Sequence, residues 1–149
     1  MNTNKYWRRL LMAGMLLGLL LTAACGMKDA IKGPEEQALA AQGDVVMATL
    51  KDGDFQAVQG LMSPGVQKML DSATSMVSNW VDLETLIMQN APEIATWKFD
   101  QARIYSRDGA IIGKLDGTVA YADGKASELS LELEKDQGAW KLRSYSLEK

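Results

Sequence analysis

The sequence predicts an α+β domain, with helices first and then a meander of four antiparallel strands. Three observations predict it. Apolar residues recur at three- and four-residue spacing from residue 34 to about residue 90, the spacing of a buried helix face. After Pro92 the period drops to two, the spacing of a strand with one covered face. Three turn pairs, Asp108-Gly109, Asp123-Gly124 and Gln137-Gly138, then cut the second half into strands of hairpin length.

Each element has its own signals. "GPEE" starts the first helix: Pro34 suits the first helical position, and Glu35 and Glu36 favour the positive end of the helix dipole. Leu39, Gly43, Val46 and Leu50 form its stripe, with Gly43 trading helix propensity for close packing. Asp52-Gly53 ends it, and Asp54 caps a short second helix through Met62. Ser63-Pro64 opens a longer third helix whose face carries Val66, Met69, Ala73, Met76, Val77, Trp80 and Ile87, with a break at Asp82. In the first strand Trp97, Phe99, Arg103 and Tyr105 share a face by simple alternation. Ile111, Leu115, Val119 and Tyr121 do so in the second, where Gly113 and Gly117 mark bulges. Leu129, Leu131 and Leu133 alternate with polar residues in the third strand, and Trp140 and Leu142 open the fourth.

The 149 residues fit one domain, and 47% hydrophobic residues suffice for a core. Residues 1–24 stand apart, with Lys5, Arg8 and Arg9 and no acid. Without them, 13 basic residues face 19 acidic ones, a net charge of about −6, which repels phosphate backbones and excludes nucleic acid as a partner. Histidine is absent, which removes the usual general base at neutral pH and the usual metal ligand.

The one cysteine, Cys25, ends the stretch "LLMAGMLLGLLLTAACGM". A charged start, a dozen apolar residues and small residues follow one another in the order of a secretory signal peptide. The alternative, a single transmembrane anchor, needs the whole charge-free run from Leu10 to Met27. Leu21-Thr22-Ala23-Ala24-Cys25 resembles the bacterial lipobox, although Thr22 stands where leucine is commoner. That resemblance implies lipidation of the Cys25 thiol, cleavage after residue 24, and attachment to the cell envelope on the extracytoplasmic side. Two or three acyl chains hold firmly where one does not. Gly26, in place of an aspartate, implies the periplasmic side of the outer membrane if the host is Gram-negative. The organisation expected is therefore a signal peptide over 1–24, lipidated cysteine and tether over 25–33, and a domain over 34–149.

"VVMATLKDGDFQAVQGLMS" followed by "GTVAYADGKASELSLELEKDQGAWKLRSYSL" resembles small bacterial lipoproteins of the nuclear transport factor 2-like (cystatin-like) superfamily. The shared features are the Gly53-Asp54-Phe55 turn and the Trp140-Lys141-Leu142 strand. The resemblance implies a curved sheet wrapped around helices, often with a conical pocket.

Chemistry is sparse. A Ser-His-Asp triad is impossible, and neither zinc nor copper finds ligands, so no metal and no cofactor is expected. The superfamily includes ketosteroid isomerases and polyketide cyclases, whose nearest analogues here are Asp100, Tyr105 and Tyr121; none matches a family motif. Met69, Met76, Trp80, Trp97, Phe99 and Tyr121 either line a pocket for an apolar ligand or simply form the core. Glu128, Glu132 and Glu134 make a solvated sheet face. The expectation is a non-catalytic, membrane-anchored binding module for a partner protein or a small apolar ligand. A pocket enzyme and an envelope assembly factor are the alternatives.

Overall fold

The computed structural model describes residues 31–76, 87–89 and 91–147. Cys25 and Trp80 lie outside them, as do the signal peptide expected over 1–24 and the break expected at Asp82. Three helices, α1 (Pro34–Asp52), α2 (Phe55–Leu61) and α3 (Pro64–Met76), pack on an antiparallel sheet of β1 (Ile94–Arg107), β2 (Ala110–Tyr121), β3 (Ala126–Asp136) and β4 (Ala139–Leu147). Strand order follows chain order. The α+β class read from the sequence is the class observed.

The helix starts are built as their residues dictate. Glu36 reaches back to accept from the backbone N–H groups of Lys32 and Gly33, both at 2.9 Å; Gly33 has no side chain to return the bond. The Asp54 carboxylate accepts from Ala57 N–H at 3.0 Å and caps α2. The two-residue turns at 108–109 and 137–138 need positive φ at both positions, and have it: 53° and 80° for Asp108 and Gly109, 47° and 85° for Gln137 and Gly138.

One helix seats the sheet. The Leu39, Val46, Met47 and Leu50 side chains of α1 are wholly buried against Leu115, Val119, Leu129, Leu131 and Leu133. Contact is close because the two surfaces trade small for large. A Cβ on Gly43 would run into Leu115 Cδ1 and sit 2.9 Å from the Phe99 ring. A Cβ on Gly113 would sit 2.5 Å from Leu39 Cδ1 and 3.0 Å from the Trp140 ring. Gly113 is therefore a notch that receives Leu39 and not a bulge: β2 pairs without interruption there. Polar clamps fix α1 along its length. Lys135 donates to Glu35 at 2.7 Å, Trp97 Nε1 to Asp44 at 2.8 Å and Lys51 to the Ala95 carbonyl at 2.8 Å.

Three register shifts interrupt the sheet, one of them at the start of β1 between Ile94 and Thr96, and the other two correct simple alternation. Phe99 pairs with Gly117 but Gln101 with Asp116, so the extra residue, Asp100, lies in β1 opposite Gly117. A Cβ on Gly117 would collide with the Lys98 carbonyl oxygen, which is why glycine stands there. Parity flips at this bulge: Trp97 and Phe99 face α1, then Ala102 and Ile104 do, while Arg103 and Tyr105 turn to the outer face. The expectation that Trp97, Phe99, Arg103 and Tyr105 share a face fails for this reason. In β4 a second shift sets Leu142 against Leu133 but Ser144 against Glu132, and the extra residue is Arg143.

The outer face is a charge lattice. Asp116 accepts from Arg103, from Ser130 at 2.9 Å and pairs with Lys114 at 3.2 Å; Glu132 accepts from Arg107 at 2.9 Å and Tyr105 at 3.1 Å. Ile112, paired with Tyr105 and Glu134, is wholly buried within it, covered by the stems of its long neighbours.

Three substitutions test the seating. Gly117→Ala pushes on backbone and is expected to cost most, about 2 kcal/mol or more; Gly113→Ala overpacks by about 1–3 kcal/mol. Gly43→Ala costs least, since about 1 kcal/mol of helix propensity offsets its overpacking. Urea denaturation ranks them, and a neutral Gly117→Ala contradicts the bulge register.

Acid is a second test. Burial pushes the Asp116 and Glu132 carboxyls up, but hydrogen bonds from Arg103, Ser130 and Lys114 in one case and from Arg107 and Tyr105 in the other outweigh it. Both end below their ordinary values of 3.8 and 4.5. The unfolded chain thus binds protons more readily, so this stability is complete above about pH 5 and drains away as pH falls through and below those values. Asp116→Asn is expected to lower the denaturation midpoint at pH 7 and flatten its fall below pH 4.

Candidate functional site

The bulge at Arg143 shapes an apolar groove between α3 and the far half of β4. Before it, Trp140 and Leu142 face the helices; after it, Tyr145 and Leu147 do, while Ser144 and Ser146 are exposed. β4 is an edge strand, and α1 covers its start, with Gly113 bringing Leu39 beside Trp140. Its far half meets the corner between α2 and α3 instead. There Met62 makes a single parallel bridge to Leu142, and Ser63 N–H donates to the Leu142 carbonyl at 2.7 Å. Pro64, with no N–H to give, turns the chain into α3 after that one contact. The Gln67 amide braces the corner by donating to the Gln59 and Met62 carbonyls, both at 3.1 Å.

A groove of about 480 Å³ results. Val66 and Leu70 of α3 form one wall, Leu142, Tyr145 and Leu147 the floor, and Ile87 the other wall. The Tyr145 hydroxyl donates to the Ile87 carbonyl and ties wall to floor. Burial pushes this phenol up to about 12, so it stays a neutral donor throughout the physiological range. The rim is polar, with Gln89, Ser144, Ser146 and Arg143. An apolar floor, a fixed wall and a polar rim are the make-up of a small-molecule site, and the volume falls within the usual range for one.

A second depression, of about 410 Å³, lies on the outer face beside the β1 bulge, lined by Asp100, Lys114, Asp116, Glu128 and Ser130 among others. Two of its three carboxylates are engaged: Asp116 as above, and Asp100 with Lys98 at 2.7 Å. No group of three or more metal-ligating side chains converges among the described residues.

The residues singled out in the sequence do not meet in either place. Met69 is 71% exposed on α3. Val66-Leu70-Ala73 and Val66-Met69-Ala73 are both helical stripes, and packing selects the first, so Leu70 is buried in the position expected of Met69. Met76 ends α3. Trp97 is half-buried and bonded to Asp44, and Phe99 packs at Gly43. Tyr121 is buried opposite Ile94, at the end of β2 away from the β1–β2 turn. Of the three catalytic candidates, Tyr121 faces the helices while Asp100 and Tyr105 belong to the outer face, so they do not form one constellation. Sequence reading missed Leu70, Arg143, Tyr145 and Leu147; the parity break in "AWKLRSYSL" was the available signal. Glu132 and Glu134 lie on the outer face as expected, but paired with Arg107 and Arg143.

No family model matches the chain, and comparison with the curated proteins and with the solved structures gives no match. No helix among the described residues is long and apolar enough to cross a membrane.

Tyr145→Phe is expected to cost about 1 kcal/mol in folding free energy, the ordinary value of one hydrogen bond, and to loosen the Ile87 wall. Faster amide exchange of Met88 and Gln89 than in the parent protein checks the second half; unchanged exchange contradicts it.

Proposed function

We propose that this protein is a lipid-anchored, extracytoplasmic binding module with a nuclear transport factor 2-like fold, tethered through Cys25 and acting without catalysis. The order of charge, apolar run, small residues and cysteine over residues 1–25 supports the anchor. The groove between α3 and β4 carries the binding half: it is apolar, partly enclosed and of ligand size. The helices-then-meander order and the bulged sheet support the fold reading. Lipid fixes the domain at the envelope surface, residues 26–33 give it reach, and the groove takes a small apolar ligand.

Docking of a partner protein is the second reading, favoured by the contrast between the sheet's two edges. β1 carries Lys98, Asp100, Arg103 and Arg107 and a bulge, devices that block strand addition. Residues 144–147 of β4 carry no charge.

The intact mass of protein extracted from membranes tests the anchor. The expected species begins at Cys25 and carries a diacylglyceryl adduct, and Cys25→Ser abolishes incorporation of a clickable palmitate. A chain that keeps residues 1–24 and carries no lipid overturns the anchor.

A further inference from the structure

The place where the chain enters the fold decides which end of the domain meets a membrane. Six peptide steps separate Cys25 from Ile31, whose side chain already packs on the core. Fully extended, they span no more than about 20 Å. The start of α1 is therefore held within that distance of the point of attachment. The limit is the same whether lipid on Cys25 or an uncleaved apolar run holds the chain.

α1 crosses the sheet from one end to the other. Glu35 meets Lys135 just before the Gln137-Gly138 turn, Leu39 fills the Gly113 notch, and Lys51 reaches Ala95 at the start of β1. The β1–β2 and β3–β4 turns thus share the end at which α1 begins, and the β2–β3 turn lies at the other. From the level of Leu39 and Gly113, the helix rises about 8 Å to Pro34. Over the same rise β2 runs about 13 Å to Gly109. The β1–β2 tip therefore stands beyond the helix start, on the side from which the tether comes. Four large hydrophobic side chains are exposed among the described residues, and two of them straddle this tip. Ile111 is 47% exposed on the face that carries α1, and Tyr105 is 37% exposed on the outer face. The other two, Val45 and Met69, stand apart on α1 and α3, and the Gln137-Gly138 turn has none.

We propose that the tip of the β1–β2 hairpin seats in the headgroup layer of the membrane that holds the chain, with Ile111 and Tyr105 as its apolar contacts. This rests on the reading that the chain is attached to a membrane near residue 25. Tyrosine suits that depth, since its ring is apolar and its hydroxyl wet. Arg107 and Asp108 stay at headgroup level, and Arg107 keeps its Glu132 partner. A surface that mixes apolar and charged groups in this way lies in the interface and does not enter the hydrocarbon. The seating has a consequence for the groove. Tyr145 and Leu147 of its floor lie toward the far end of β4 from the Gln137-Gly138 turn. A domain standing on its hairpin tip therefore holds this floor about 20 Å clear of the bilayer, within reach of the aqueous side.

Paramagnetic broadening tests it. The full-length gene is expressed with labelled isoleucine methyls, and the protein is extracted from membranes with its own anchor. It is then placed in nanodiscs of phosphatidylethanolamine and phosphatidylglycerol that carry a nitroxide on some headgroups. The Ile31 and Ile111 methyl signals are expected to lose most of their intensity relative to the same sample with the nitroxide reduced. Ile104 should lose less, and Ile94, at the far end of the 14-residue β1, should keep its signal. Ile111→Asp, with the parent's circular dichroism, should restore most of the Ile104 signal while Ile31 beside the tether stays broadened. Ile111→Leu should restore nothing. Loss at Ile31 alone, or equal Ile104 broadening in Ile111→Asp and the parent, overturns the seating and leaves the attachment intact. Loss at Ile94 in place of Ile111 overturns the orientation. The intact mass of the same sample reports separately whether Cys25 carries lipid, so failure of the lipid reading leaves a different mark. Protein that does not stay with the nanodiscs overturns attachment and seating together.

Discussion

The seating of α1 on the sheet through two reciprocal notches is the constraint on which the rest of the structure depends. Gly43 lets the helix backbone approach Leu115 and Phe99, and Gly113 lets the sheet accept Leu39 beside Trp140. A notch on each surface fixes the helix in translation and in rotation, because sliding by one turn lifts both large residues out of their recesses. The clamps from Lys135, Asp44 and Lys51 then act on a helix already positioned by shape. Close-packed interiors tolerate few voids, so this register settles which part of the sheet α1 covers and which part it leaves to the α2–α3 corner.

The two bulges convert that coverage into two different faces. In β1 the extra Asp100 turns Arg103 and Tyr105 outward into the ion lattice; in β4 the extra Arg143 turns Tyr145 and Leu147 inward under α3. One face of the sheet thus spends its charges on itself. The other gathers apolar groups beyond the reach of α1 into the groove between α3 and β4.

Much of the fold was legible because its signals are local. The Asp54 cap, the Pro34 start, the Gly109 and Gly138 turns and the change of period at Pro92 each depend on a few neighbouring residues. What was not legible depends on partners distant in the chain. Gly113 and Gly117 look alike in sequence, yet one admits a helix side chain and the other a neighbouring carbonyl. Met69 and Leu70 both fit a helical stripe, and only packing against Leu142 and Tyr145 chooses between them. The groove stayed hidden for the same reason, since its walls come from α3, Ile87 and the far half of a bulged strand.

Methyl-resolved NMR of the isotope-labelled full chain in nanodiscs, titrated with hexadecanol, tests the central claim most directly. Val66, Leu70 and Leu147 methyls are predicted to shift together and saturably, while Leu39 and Leu115 beneath α1 stay in place. Saturable shifts at Leu39 and Leu115, with Val66 and Leu70 unmoved, would contradict the account, because the seated helix would then be the element that yields.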